Sequence, residues 1–245
     1  MRLVFLGTGG YHPNERRHTA CLMLPELGIV LDAGSSMFRV PARMETNELD
    51  ILVTHAHLDH VQGLTYLLVP LVQGRIAKCR VHALPQTIAA VKEHLFSVSL
   101  FPILPAFDFI PLIDPVVLGQ GAAVITHHPL QHPGGSIGYV LQINGKRVAY
   151  ITDTTVDGSY TEFIRGVDTL IHECHFPDDM AAWAIKTGHS HTSQVAQLAK
   201  DAGVGRLYLT HIDPQRDGDD PIGLATARAI FPETYLAEDL LEIEV

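Results

Sequence analysis

The chain has 245 residues, 47% of them hydrophobic, and a formal charge of −10 from 17 basic and 27 acidic side chains. That much apolar residue can bury one large core, so residues 1–245 are read as a single domain, and an acidic balance without a lysine or arginine block lacks the footprint of a general nucleic-acid binder. Three scattered cysteines, Cys21, Cys79 and Cys174, with no CxxC pair exclude a disulfide framework and a thiolate zinc site, and the lack of any apolar run near ~20 residues points to a cytoplasmic protein without a membrane span or signal peptide.

Short β-rich runs open the chain at Arg2–Leu6, Cys21–Leu24 and Gly28–Leu31. Gly7-Thr8-Gly9-Gly10 lacks the full dinucleotide fingerprint and reads as a turn, not a phosphate cradle. Ile51–Thr54 is a further strand, and helical spacing follows at His60–Val72 and Thr87–Leu95. Pro102, Pro105, Pro111 and Pro115 then mark a linker within the domain. Strands return at Ala122–Thr126, Gly138–Ile143, Arg147–Thr152 and Thr169–His172. Thr192 or Ser193 can cap a helix whose apolar face is Val195, Leu198, Ala199 and Ala202, with Gly203 near its end. Arg206–Thr210 reads as a buried strand ending at His211. Strands mixed with helices, without regular βαβ spacing or a repeat, predict an α/β chain of two sheets covered by helices.

Histidine is the unusual count, at 15, and imidazole is the commonest metal ligand. Leu49–Val53 runs into Thr54-His55-Ala56-His57-Leu58-Asp59-His60, an apolar strand followed by H-x-H-x-D-H. In extended chain His55 and His57 face one side and can meet one metal, and a turn into a helix brings Asp59 and His60 toward a second. Oxygen and imidazole donors suit zinc, manganese or iron. One loop cannot fill two coordination spheres, and candidate donors recur at the ends of later strands: His132 before Gly138-Tyr139, Asp153 after Ile151, and His211 after Thr210.

With those segments the chain resembles the metallo-β-lactamase superfamily, in the branch of ribonuclease Z and related phosphodiesterases. The likeness runs from Phe5-Leu6-Gly7-Thr8-Gly9 through Leu31-Asp32-Ala33-Gly34, Thr54–His60, His132–Tyr139 and Thr152-Asp153-Thr154 to Thr210-His211. The resemblance implies a four-layer αββα sandwich with the site along one edge. It implies that His55, His57 and His132 hold one metal, that Asp59, His60 and His211 hold the other, and that Asp153 bridges them. It also implies that Asp32 supports the site from behind and that the protein forms a homodimer. His127 and His128 lack the family spacing and read as strand-end residues, and His12 and His18 have no ligand spacing. His172 and His175 flank a His-Glu element that recurs in the family, with a buried structural histidine as the plainer reading.

Two divalent cations, zinc first, would activate water near neutral pH, and the leaving oxygen needs a proton that a histidine can give. Gly188-His189-Ser190-His191 resembles the Gly-His-Ser-Thr element of ribonuclease Z and places His189 on the acid position, with His191 as the second choice. Asp59 completes the candidate catalytic set, and the hydroxyls of Ser136, Tyr139 and Ser190 are candidate substrate contacts. The expected reaction is phosphodiester hydrolysis of a small or short nucleotide substrate. Transfer RNA is disfavoured because His132 and Asp153 lie too close in sequence to hold the basic arm usual there, and because Ser35-Ser36 replaces the Glu-Gly of tRNA-processing relatives. Hydrolysis of a thioester, lactone or lactam is the alternative enzyme, since the same nucleophile attacks carbonyls. A metal-stabilised binding module is the non-catalytic one, and a redox di-iron site ranks low because it calls for Glu where His57 stands.

Overall fold

The computed structural model describes residues 1–216 and 218–245. Strands β1 (Arg2–Gly7), β2 (Cys21–Leu24), β3 (Ile29–Leu31), β4 (Glu48–Leu52), β5 (Lys78–Ala83) and β6 (Phe107–Pro111) make the first sheet in that order. Strands β7 (Val116–Leu118), β8 (Ala123–Leu130), β9 (Ser136–Ile143), β10 (Lys146–Ile151), β11 (Thr169–Glu173), β12 (Arg206–Thr210) and β13 (Thr234–Leu236) make the second. The last strand, β14 (Glu242–Glu244), returns to the first sheet beside β1. In each sheet an antiparallel half meets a parallel half: β3 to β6 run parallel, and so do β10 to β13.

The inner faces meet in one core, where Phe5, Leu31 and Leu52 of the first sheet pack with Tyr139, Leu141 and Tyr150 of the second. Each such buried side chain contributes roughly 1.5–3 kcal/mol. The outer face of the first sheet is covered by short helices α1 (Leu58–Val61), α2 (Leu68–Val72) and α3 (Pro85–Ala90). Helices α4 (Ala181–Thr187), α5 (Thr192–Ala202) and α6 (Leu224–Ile230) follow, and α5 and α6 cover the outer face of the second sheet. This is the expected four-layer αββα sandwich. Among the described residues no helix is long and apolar enough to cross a membrane, and Cys21, Cys79 and Cys174 are buried and unpaired.

Two expectations need correction. The helix predicted over His60–Val72 is broken into α1, a 3₁₀ stretch at Gln62–Leu67, and α2. The Gly63 amide leaves the helical ladder to donate to the Ala33 carbonyl at 2.8 Å, and Pro70 is tolerated because it lies in the first turn of α2, where no amide is needed. The proline-rich linker contains β6 and β7, which prolines disguised: both are edge strands, where a missing amide costs no ladder bond. Helix α5 keeps its predicted face, with Val195, Leu198, Ala199 and Ala202 buried and Gly203 closing it in a left-handed conformation, but its predicted cap is corrected: His191 holds the N-cap position, Thr192 is already helical, and the Ser193 amide is satisfied by Asp178 (2.8 Å).

Candidate functional site

Parallel strands bring their carboxyl ends to one edge of the sandwich, and open α/β sheets bind ligands there. Asp32 follows β3, the segment His55–His60 follows β4, Asp153 follows β10, Glu173 ends β11, and His211 follows β12. His132 lies in the turn from β8 to β9, whose start pairs beside the end of β10. Three of these residues hold the left-handed conformation without being glycine: Asp32 at φ 59°, Asp153 at 52° and His211 at 58°. Such positions are costly and cluster where a chain must turn a side chain sharply toward a site.

The seven residues named from the sequence gather as two groups that share Asp153: His55, His57, His132 and Asp153, then Asp59, His60, Asp153 and His211. Within each group the donor atoms lie within 4.8 Å of one another. His57 has the extended backbone expected of it (φ −66°, ψ 147°), although strand β4 stops at Leu52, so the segment that carries His55 and His57 is loop and not strand.

Hydrogen bonds fix which ring nitrogen each imidazole turns inward. His60 donates from Nδ1 to Asp32 (2.8 Å), so its Nε2 is the atom 3.0 Å from Asp153. His132 donates from Nδ1 to the Gly188 carbonyl (2.9 Å), and its Nε2 lies 3.7 Å from Asp153. His55 Nδ1 contacts Thr54 Oγ1 (3.0 Å), while its buried Nε2 has no hydrogen-bond partner and sits 3.8 Å from Asp153. A buried, orphaned nitrogen aimed at a carboxylate within a ring of imidazoles fits a divalent metal ion, since such ions take bare imidazole nitrogen and carboxylate oxygen together. Burial, followed by the neighbouring His60, pushes His55 well below the usual imidazole range, which keeps the lone pair available. Burial opposes charge on Asp153, but His211, His60 and His55 outweigh it and hold the carboxyl well below the usual range.

Asp32 behaves as the resemblance implies. Buried, it accepts from the Thr54 amide (2.8 Å), Thr54 Oγ1 (3.0 Å), His60 Nδ1 and Tyr150 Oη (3.0 Å). Asp32→Asn keeps the side chain best suited to a left-handed backbone but swaps an acceptor for an amide donor. It is expected to weaken metal affinity about 10- to 100-fold, read by chelator competition.

The glycine-rich turn after β1 also lies at the site, which the sequence did not reveal. The Gly10 amide donates to the Ile212 carbonyl (3.0 Å), and a Cβ on Gly10 would stand 2.5 Å from the His211 ring and 2.9 Å from the His175 ring. The next residue, Tyr11, donates its amide to Asp59 (2.8 Å). Gly10→Ala is therefore expected to displace His211 and to cost metal occupancy, measured by elemental analysis after dialysis.

His189 lies beside both groups, with ring centroids 5.2 Å from His132 and 5.5 Å from His211. Its Nδ1 bonds the fully buried Glu173 carboxylate at 3.1 Å. Burial lowers the basicity of His189, but Glu173 outweighs it through charge and hydrogen bond and raises the group to about 9. Gly188 sets this arrangement: its left-handed conformation (φ 79°) ends α4, its carbonyl holds His132, and a Cβ there would meet Pro133 at 2.4 Å. His191 instead stands at the start of α5 without a capping bond of its own, its Nδ1 on Asp178 (2.7 Å), outside both donor groups.

The three candidate hydroxyls all serve the fold. Tyr139 donates to the Val53 carbonyl (2.8 Å), Ser136 to that of Thr152 (3.3 Å) and Ser190 to that of Thr154 (2.6 Å). His172 is the structural histidine, buried between Tyr160 Oη (2.8 Å) and the Glu173 carbonyl (2.7 Å). His127 and His128 stay on β8, bonded to Asp114 and stacked on Phe163 respectively. His175, which the sequence left open between a family element and a structural histidine, lies at the site. It stacks on His189 at 4.4 Å and donates from Nδ1 to the His211 carbonyl (2.9 Å), and burial with His211 and His189 lowers it to about 3. Its position two residues past the buried Glu173 was the signal available.

The family model described as β-lactamase superfamily domain matches residues 28–212. Ribonuclease Z of Methanosarcina acetivorans is 27% identical over 302 aligned positions that take in 100% of this chain and 98% of the ribonuclease. Among solved structures, the metallo-β-lactamase fold protein YhfI of Bacillus subtilis is similar with a TM-score of 0.83 at 20% identity, covering 99% of this chain and 98% of that one. Human tRNase Z, short form, is similar with a TM-score of 0.77 at 20% identity, covering 100% and 99%. At such identities the two structures speak for the shared fold.

Proposed function

The chain belongs to the β-lactamase superfamily, and from that premise we propose that it is a metal-dependent phosphodiesterase acting on a small phosphodiester or a short nucleotide. The observation that carries this reading is the pair of donor groups sharing Asp153 with the Glu173–His189 pair alongside. His55, His57, His132 and Asp153 would hold one divalent cation, and Asp59, His60, Asp153 and His211 the other, with zinc the first choice for an imidazole and carboxylate set. Cations bound there supply a nucleophile at neutral pH and stabilise charge developing on phosphoryl oxygens.

The chain's own residues do the rest. Glu173 orients the His189 ring through Nδ1 and keeps it protonated, so His189 carries the proton that the leaving oxygen needs. Asp32, Thr54 and the Gly188 carbonyl fix the donor rings, so no reorganisation is required when charge develops. His191, engaged by Asp178 at the start of α5, takes no part.

A short substrate suits the surroundings. Between His132 and Asp153 the chain spends only β9, a two-residue turn at Asn144-Gly145 and β10, which leaves no arm there to grip a folded RNA. The aligned ribonuclease spans 302 positions against 245 residues here, so at least 57 of its positions face gaps. The net charge of −10 also disfavours a long polyanion. A reducing cytoplasm suits three buried, unpaired cysteines, and the exposed Leu58, Tyr66, Val69 and Val72 suit the homodimer implied by the resemblance.

Turnover of bis(p-nitrophenyl) phosphate, a thioester and a lactam by the zinc- and manganese-reconstituted protein tests the reading. The phosphodiester is expected to lead, with activity lost on chelation and restored by metal. Faster thioester or lactam hydrolysis would transfer the assignment to carbonyl chemistry, and metal-dependent stability without hydrolysis of any of the three would leave a binding module.

A further inference from the structure

Asp32, Asp153 and His211 share their left-handed backbone with an aromatic residue at the same site, Tyr11, at φ 60°. The His12 amide donates to the Gly10 carbonyl across it at 2.7 Å, which makes Tyr11 the centre of a three-residue turn with positive φ, a rare and strained form. For a bulky side chain that conformation is an outlier, of the kind that gathers at functional sites. The turn delivers the Tyr11 amide to Asp59 Oδ2 at 2.8 Å, and that oxygen stands 3.3 Å from His211 Nε2 and 3.4 Å from His60 Nε2. Glycine would deliver the same amide without strain, so the hold on Asp59 does not account for the phenol ring.

The core does not account for it either. Tyr11 is 68% exposed and belongs to none of the three apolar clusters. Its ring neighbour is the exposed His12, which stands edge-on to it with centroids 4.9 Å apart and planes at 62°. The centre of a tyrosine ring lies no more than about 5 Å from its own amide nitrogen in any rotamer. With the amide already on Asp59, the ring therefore stays within about 8 Å of that carboxylate whichever way the side chain turns. That is the reach of one sugar unit from a phosphate held at the donor groups.

We propose that Tyr11 is a base platform for the hydrolytic centre: its ring stacks on the nucleobase of a nucleoside phosphodiester whose phosphate lies at the donor groups. The inference rests on the phosphodiesterase reading and narrows it, from any small phosphodiester to one that carries a base. An aromatic face suits a flat heteroaromatic ring of any identity, because every base has a π-face. Stacking also calls for no block of basic side chains, which this acidic chain lacks. One ring serves one base, in keeping with a short substrate.

Two diesters that share a leaving group test it: p-nitrophenyl thymidine 5′-phosphate, which carries a base, and ethyl p-nitrophenyl phosphate, which does not. With the full-length, zinc-loaded protein, kcat/KM for the thymidine diester is expected to exceed that for the ethyl diester by about tenfold or more, the worth of stacking one base on one aromatic side chain. Tyr11→Phe should keep that ratio. Tyr11→Asn, which tolerates left-handed backbone, should bring it near one, and Tyr11→Gly, which favours that backbone, should do the same if the asparagine variant folds poorly. A ratio taken within one variant cancels any general loss caused by the turn, and calorimetric Kd values for thymidine 5′-monophosphate and ethyl phosphate give the same comparison without turnover. A wild-type ratio near one, or a ratio that survives both Tyr11→Asn and Tyr11→Gly, would overturn the platform and leave the phosphodiesterase reading standing. Hydrolysis of neither diester by the wild type would overturn that reading and the platform with it.

Discussion

His189→Ala is expected to keep the wild-type metal content and to lose turnover by about 100- to 10,000-fold, the usual worth of a positioned general acid. The two halves of that result rest on different geometry. His189 belongs to neither of the two donor groups that share Asp153, so its removal leaves those donors and the bonds that orient them in place. Yet its ring stands within 5.5 Å of donor rings from both groups and is backed by Glu173, close enough to serve a leaving oxygen. A substrate whose leaving group needs no proton, such as p-nitrophenolate, should be hydrolysed with a much smaller loss than an alkyl ester. Equal losses on both, or loss of metal, would falsify the assignment of His189 as acid.

Glu173→Gln gives the same assignment a pH signature. An acid works while protonated, so the wild-type rate should fall as pH rises through the raised His189 value of about 9. Glu173 supplies the charge and hydrogen bond that overcome burial. Its neutral replacement leaves only the weaker pull of Asp153 and Asp59 against burial, and the alkaline limb should move down by more than about one unit. Stability has a matching window. The group is raised in the folded protein above its ordinary value of 6.5, so its contribution is complete below pH 6.5 and fades as pH climbs through 9. The stability gap between wild type and Glu173→Gln in urea should therefore narrow over that interval. A variant with an unmoved alkaline limb would make Glu173 a structural residue only.

What could be read from the sequence was whatever depends on neighbours in the chain. His55 to His60 are close in sequence, and α5 announces itself by spacing and by Gly203. His132, Asp153 and His211 were legible only as strand ends, and it took the resemblance to join them, because their meeting depends on sheet order that no local pattern encodes. The turns that aim Asp32, Asp153 and His211 were hidden, since left-handed backbone is normally marked by glycine and here it is not. Ser136, Tyr139 and Ser190 misled for the opposite reason: a hydroxyl near a motif looks free until the carbonyl it satisfies is seen. Strands β6 and β7 were lost to Pro111, which β6 accepts as an edge strand, and to Pro115 just before β7.

Asp153→Asn should abolish binding at both metal positions at once, with metal content falling from two equivalents to near none after dialysis and turnover falling to background. Asparagine tolerates the left-handed backbone at φ 52° better than alanine, so the loss reports on the carboxylate and not on the turn. Asp153 is the sole member common to the two groups: one oxygen lies 3.8 Å from His55 Nε2 and 3.7 Å from His132 Nε2, the other 3.0 Å from His60 Nε2 and 3.3 Å from His211 Nε2. His57→Ala strikes one group and should empty that position first, with activity lost but some metal retained. The difference is measurable in thermal unfolding, because a ligand bound only by the folded state at about 100 times its dissociation constant adds about 2.7 kcal/mol. Zinc should raise the midpoint of the wild type, raise that of His57→Ala less, and leave Asp153→Asn where the metal-free protein melts. Two equivalents retained by Asp153→Asn would mean that the carboxylate stands beside the cations without joining them, and the two donor groups would then have to be independent sites.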